Sequence, residues 1–214
     1  MTNPIRIYVG SDQRQEPAER TLEYSIRKHS SQPVEVTFMR AGEGAFKDWN
    51  TGQDGKPGWK RGRWPTNFSN FRLAVAELAG WEGHAIYLDS DMLVLGDVAE
   101  LFQYREGAYT TTNRKRSEVA VIDCAGMKGH VPSLKALMLS EKSLGQYRNA
   151  LHQAGILTTG IPPEWNVLDQ VTPNMHFTDM RTQPWKPWPE RFEYPDHPCP
   201  KAVDLWNRYE KESR

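Results

Sequence analysis

Apolar and polar positions alternate and cluster along the chain in a way that predicts an α/β protein from its first residues. Ile5-Arg6-Ile7-Tyr8-Val9-Gly10 reads as a short buried strand with Ser11-Asp12 at its carboxyl end. Pro17 opens a helix over 18–29, with Leu22, Tyr24 and Ile26 among its apolar positions. Residues 34–39 alternate as a second strand, and strand–helix–strand order predicts a parallel sheet. No period runs through 41–66, and a connection of that length is functional or mobile. A helix is predicted over 67–79, with Phe68, Phe71, Leu73, Val75 and Leu78 on its apolar side. Ala85-Ile86-Tyr87-Leu88 is a short apolar strand running directly into Asp89-Ser90-Asp91, after which Met92 to Leu95 are apolar again. Gly96-Asp97 turns the chain, and Asp97 caps a short helix over 98–102. Strands over 107–112 and 119–122, helices over 133–143 and 144–155, and a strand at Met175-His176-Phe177 follow. A last amphipathic helix is predicted over 201–211.

Composition narrows this picture. With 214 residues and no second apolar core, one domain over 1–214 is expected. Lys+Arg and Asp+Glu both number 27, which argues against nucleic acid as a partner. Mean hydropathy is −0.72, and no apolar run approaches the length of a membrane span. The strand pattern begins at once, with no charged-then-apolar leader before it, so a cytoplasmic protein is expected. Cys124 and Cys199 match neither a zinc spacing nor a disulfide framework. All eight tryptophans fall in the stretches 49–81 and 165–206; such rings either line sugar sites or pack a core.

The candidate chemistry sits in mid-chain. A carboxylate at the end of a buried parallel strand lies where such sheets bind ligands. Asp89 and Asp91 can turn to one cation when the backbone leaves the strand, and carboxylate and imidazole ligands with open positions suit Mn²⁺ or Mg²⁺. D-x-D alone is a short motif, and its bland alternative is a solvated acidic turn. The flanking apolar runs IYL and MLVL speak against such a turn.

The stretch FSNFRLAVAELAGWEGHAIYLDSDMLVLGDVAELF resembles the central segment of family 8 glycosyltransferases over residues 68–102. In that family an aromatic-Arg-Leu helix precedes a strand ending in D-x-D, and a capped helix follows. The resemblance implies a GT-A-like single domain with a central, mostly parallel but mixed sheet flanked by helices. Its nucleotide-binding half would be 1–110, and 111–214 would complete the metal and acceptor sites. It further implies that Gly10 and Asp12 contact the nucleotide and that Arg72, Asp89, Ser90 and Asp91 lie at the donor. Asp89, Asp91 and a late histidine, His176, would hold the metal. The family's late H-[YF]-x-G-x-x-K-P-W block is matched at His176-Phe177 and then altered. Asp179 stands at its glycine, and one alignment puts Gln183 at its lysine; Lys186 or Arg181 would supply the missing cation to the diphosphate. Glu164-Trp165-Asn166 resembles the family's Trp-Asn element. Asp169-Gln170 follows that element where the family's Asp-Gln pair precedes it, and so is not assigned to the donor. Arg116-Ser117-Glu118 occupies the segment where relatives carry Asn-Ala-Gly, which implies a different sugar preference.

The reaction expected is transfer of a sugar from a nucleoside-diphosphate sugar, UDP-sugar by resemblance, to a hydroxyl of a glycan, lipid or protein. Retention of configuration is implied by the resemblance alone, and no nucleophile stands out. Loop 41–66, with Trp49, Trp59 and Trp64, is the candidate acceptor site or lid. Competing readings are a non-catalytic sugar-nucleotide or carbohydrate-binding module and a metal-dependent sugar-nucleotide phosphohydrolase. A pyrophosphorylase is disfavoured because VGSDQR lacks the Gly-rich, basic loop expected there. A haloacid-dehalogenase-like phosphatase would need its D-x-D after the first strand.

Overall fold

A computed structural model describes residues 3–47, 66 and 68–214. Strand β1 (Ile5–Ser11) is followed by helix α1 (Glu16–His29) and β2 (Val34–Arg40). Next come α2 (Val75–Leu78), β3 (His84–Asp89), β4 (Met92–Val94) and α3 (Val98–Leu101). After these stand β5 (Tyr109–Asn113), β6 (Arg116–Asp123), α4 (Leu134–Met138), α5 (Leu144–Gln153) and β7 (Leu157–Thr159). The last elements are β8 (Val167–Leu168), β9 (Asn174–His176) and α6 (Pro200–Glu212). Most of the candidate acceptor loop, its three tryptophans included, lies outside the described residues.

Six strands form one mixed sheet in the order β2-β1-β3-β6-β5-β7. The first three run parallel, β6 is antiparallel to both of its neighbours, and β7 runs parallel to β5. The expected α/β architecture with a central mixed sheet is therefore present. Period-two alternation divides the sheet into two apolar faces. Ile5, Ile7, Val9, Ile86, Leu88, Val119 and Val121 point one way and pack on Leu22 and Ile26 of α1. Tyr8, Ala85, Tyr87, Ala120 and Ile122 point the other way, under Phe71, Leu73 and Val75. Leu22 and Ile26 are fully buried, and each such side chain contributes about 1.5–3 kcal/mol of transfer free energy.

A second, three-stranded sheet in the order β4-β9-β8 leans on the first. Met92 pairs with His176, and Leu168 also pairs with His176. Ser25 on α1 accepts the Val94 N–H at 3.1 Å, which holds β4 to the main body. Leu93, Met175 and Phe177 then pack with Ala202, Trp206 and Tyr209 of α6, so the last helix closes over the small sheet.

Two local expectations are corrected. The helix over 67–79 is instead a 3₁₀ turn (Phe71–Leu73) followed by the single turn of α2. Residues 68–76 are buried on every side, Ser69, Asn70 and Arg72 included, so no solvent face enforces one period. The helix over 133–143 is only α4, because Ser143 and Gln146 form a capping box that starts α5 afresh. The two- and three-residue strands β8 and β7 are too short to show alternation.

Candidate metal and donor site

In the parallel register Gly10 stands beside Asp89, so the carboxyl ends of β1 and β3 open on one crevice. The face of the sheet that carries Tyr8 and Tyr87 continues to Gly10 and Asp89. A Cβ on Gly10 would come 2.2 Å from the Tyr87 hydroxyl and 3.1 Å from the Phe68 ring. Glycine is needed here so that Tyr87 can lie across β1 and donate to Asp89 Oδ1 at 2.5 Å. Asp12, at the end of β1, is buried and accepts the Arg14 N–H at 3.0 Å as the cap of a short 3₁₀ turn. Burial raises its carboxyl above the ordinary value, against the pull of Arg14.

Arg72 is no surface arginine. It is 3% exposed, and Nη2 donates to both Asp89 oxygens at 2.9 and 3.0 Å, while Nη1 donates to Ser117 Oγ at 3.0 Å. Its guanidinium lies 4.9 Å from the Tyr87 ring centroid. A buried ion pair repays its desolvation only with good geometry and added hydrogen bonds; here both terminal nitrogens are bonded, while Nε has no partner among the described residues. Burial still dominates at Asp89 and pushes its carboxyl up to about 6, with Arg72 pulling down and Asp91 pushing up. Ser90 is fully buried, and its N–H donates to Gly10 O at 3.0 Å, tying the D-x-D turn to β1.

The small sheet brings His176 to this turn. Phe177 N–H donates to Asp91 O at 2.8 Å, and His176 Nε2 lies 3.1 Å from Asp91 Oδ1. One ligand atom each from Asp89, Asp91 and His176 can be chosen so that all three lie within 4.8 Å of one another. Burial disfavours the imidazolium, but Asp91 and Asp89 outweigh it, and His176 titrates above its ordinary value. His176 Nδ1 is 2.9 Å from Asn166 Oδ1, and Asn166 Nδ2 donates to Glu118 Oε2 at 3.1 Å. An amide oxygen can only accept, so Nδ1 donates to Asn166; Nε2 faces the Asp91 carboxylate, which favours a proton there too, and a cation at this point would take that proton's place. Two carboxylates and an imidazole at these distances are a set that could hold a metal ion.

Of the remaining candidates in the tail, Gln183 reaches the trio, while Lys186 and Arg181 are exposed. Gln183 is 1% exposed; its amide donates to Phe177 O at 2.8 Å and stands 3.4 Å from Asp91 Oδ2. Lys186 is exposed with φ 47°, and its Nζ lies 5.9 Å from the Tyr194 ring centroid. Arg181 is exposed and pairs with Asp179 at 2.8 Å. Asp169 Oδ1 lies 3.2 Å from His197 Nε2.

Sequence reasoning passes over Tyr87 and gives Glu118 no role beyond its segment. Both lie within reach of a simple signal. Tyr87 shares the Asp89 side of β3 by period two, and Glu118 shares the side of Ala120 and Ile122 on β6. Burial works to raise the Glu118 carboxyl, but Arg72 and His176 outweigh it and hold it below the ordinary value.

The architecture and this crevice define a GT-A fold of the kind found in glycosyltransferases. The glycosyltransferase GlyE of Streptococcus pneumoniae TIGR4 superposes with a TM-score of 0.66 at 14% identity, over 98% of this chain and 60% of that one. The galactosyltransferase LgtC, solved with donor and acceptor sugar analogues, gives a TM-score of 0.66 at 10% identity, over 97% and 96% of the two chains. In sequence, Protein CDI of Arabidopsis thaliana is 34% identical over 109 residues, covering 50% of this chain and 39% of that protein. The chain thus spans well under two thirds of that relative. No protein-family profile matches it. Among the described residues no helix is long and apolar enough to cross a membrane.

Proposed function

We propose that this chain is a metal-dependent glycosyltransferase domain of family 8 type, moving a sugar from a nucleoside-diphosphate sugar, UDP-sugar first among them, to an acceptor hydroxyl with retention. The observation that carries the reading is the convergence of Asp89, Asp91 and His176 at the carboxyl end of β3, with Nδ1 of the imidazole held by Asn166 and Nε2 turned to the carboxylates. These three side chains would hold Mn²⁺ or Mg²⁺, which supplies Lewis-acid stabilisation of the charge on the departing diphosphate. Gly10, Asp12 and Ser90 border the crevice from β1 and the D-x-D turn and are assigned to the nucleotide. Arg72 keeps Asp89 aimed and compensates its charge. Lys186, an exposed ammonium just beyond Gln183, is the cation assigned to the diphosphate. Residues 1–110 then bind the nucleotide, while 111–214 bring His176 and the acceptor side, whether glycan, lipid or protein.

A donor screen read by product mass tests this, with Asp91→Asn as control. Mn²⁺-dependent transfer or hydrolysis of one nucleotide sugar by the native chain, absent in the variant, is expected. Equal turnover in both, or cation-independent turnover, would overturn the assignment.

A further inference from the structure

Three candidate features lie beyond the metal trio: a hollow beside β2 lined by Tyr8, Phe38, Met39 and Phe46, the half-buried Asp169–His197 pair, and the polar chain behind His176. Only the last is tied by hydrogen bonds to reactive groups. Asn166 ends the 3₁₀ turn Pro163–Asn166 and is buried. Its amide spans the two sheets: Nδ2 donates to Glu118 on β6, and Oδ1 accepts from His176 on β9. Glu118 in turn lies 3.5 Å from Arg116 Nε.

We infer that Asn166 and Glu118 are positioning residues, a carboxylate–amide–imidazole relay that fixes the ring orientation of His176, Nδ1 toward Asn166 and Nε2 toward the carboxylates, for cation binding. The inference rests on the metal reading above. The direction of the relay follows from chemistry. Glu118 is held ionised and can only accept, so the Asn166 amide must present its NH₂ to it. That choice turns the amide oxygen to His176, and the oxygen compels Nδ1 to keep its proton. Without the carboxylate the amide is free to flip, and a flipped amide would present a donor to Nδ1 and move the ring proton to Nε2, where a cation must bind. The relay also spans the gap between the sheet that carries Asp89 and the strand that carries His176. Loss of such supporting groups typically costs about 10–100-fold in metal affinity.

Exchanging the amide and the carboxylate within the relay tests this. Asn166→Asp alone sets two carboxylates against each other. Combined with Glu118→Gln, the new amide at position 118 donates to the new carboxylate at position 166, and an acceptor oxygen again faces His176. The probe is Mn²⁺ alone, titrated by electron paramagnetic resonance, with the histidine tautomer of the metal-free protein read from two-bond ¹H–¹⁵N correlations. We expect the native His176 to keep a proton on Nδ1, whether or not Nε2 also carries one. Asn166→Ala should weaken Mn²⁺ binding about 10–100-fold with a mixed tautomer. The double variant should recover most of the affinity and the Nδ1–H signature. Unchanged affinity in Asn166→Ala, or no recovery in a folded double variant, overturns the relay. Absence of Mn²⁺ binding by the native protein overturns the metal reading itself and is distinguished by that first titration.

Discussion

Asp89 and His176 reach the same crevice from regions built on different principles. Asp89 rides on β3, the third strand of a six-stranded sheet, with apolar layers packed on both faces. His176 rides on a three-residue strand held by a small sheet, by α6 and by rings: Phe177 on Trp185 at 5.8 Å and Trp185 on Trp206 at 5.4 Å between centroids. The first region is stabilised by a regular ladder and aliphatic burial. The second depends on a few large side chains from distant parts of the chain. The metal site is assembled at their junction, so its acidic half should be insensitive to the tail and its imidazole half hostage to it.

Paired truncations separate the two most strongly. Ile86→Ala in β3 and Trp206→Ala in α6 each remove a buried side chain, at costs of about 2–5 and about 3–5 kcal/mol. Denaturant unfolding should report both losses. Only Trp206→Ala should also weaken Mn²⁺ binding and speed hydrogen exchange in β9. Equal weakening of Mn²⁺ binding by both variants would erase the distinction between the regions.

A smaller effect is expected where β1 and β3 meet in the large sheet. Gly10→Ala introduces a methyl into the Tyr87 hydroxyl, and overpacking of this kind costs about 1–3 kcal/mol. The Tyr87 bond to Asp89 should break with it. A thermal melt measures the first consequence. A melting temperature equal to that of the native protein would show that the strand accommodates a Cβ.

The last effect is graded with pH. Asp89 sits near 6 and His176 above its ordinary 6.5 in the metal-free protein, and a cation needs both without their protons. Mn²⁺ affinity should therefore rise as pH climbs through about 6 and past about 6.5, and fall about tenfold per unit below that for each proton displaced. A flat profile from about pH 5 to 8 in calorimetry would contradict this electrostatic description.

The same contrast explains what the sequence makes legible. α1 and β2 carry 3.6- and two-residue periods because each has one covered face, β1 and β3 read as short apolar runs because the sheet is covered on both faces there, and the D-x-D turn stands out against the apolar runs around it. The resemblance to family 8 extends this to His176. The segment 68–76 misleads because it is buried all round, so Ser69, Asn70 and Arg72 interrupt a pattern that water does not shape. Arg72 looks equally like a surface residue until its pairing with Asp89 is seen. The contacts of Asn166 with His176, of Glu118 with Asn166 and of Gln183 with Asp91 join side chains 10, 48 and 92 residues apart, and no local period encodes such contacts. Lys186 and Arg181 compete for one role through an alignment with an insertion, and the structure instead sets Gln183 beside Asp91.

The most direct test of the central claim is calorimetric titration of UDP into the native chain with Mn²⁺, with excess chelator, and with Asp91→Asn in place of the native chain. Binding that requires Mn²⁺ and is lost in the folded variant is predicted. Binding of equal strength under all three conditions would contradict a diphosphate gripped through a cation on Asp89, Asp91 and His176.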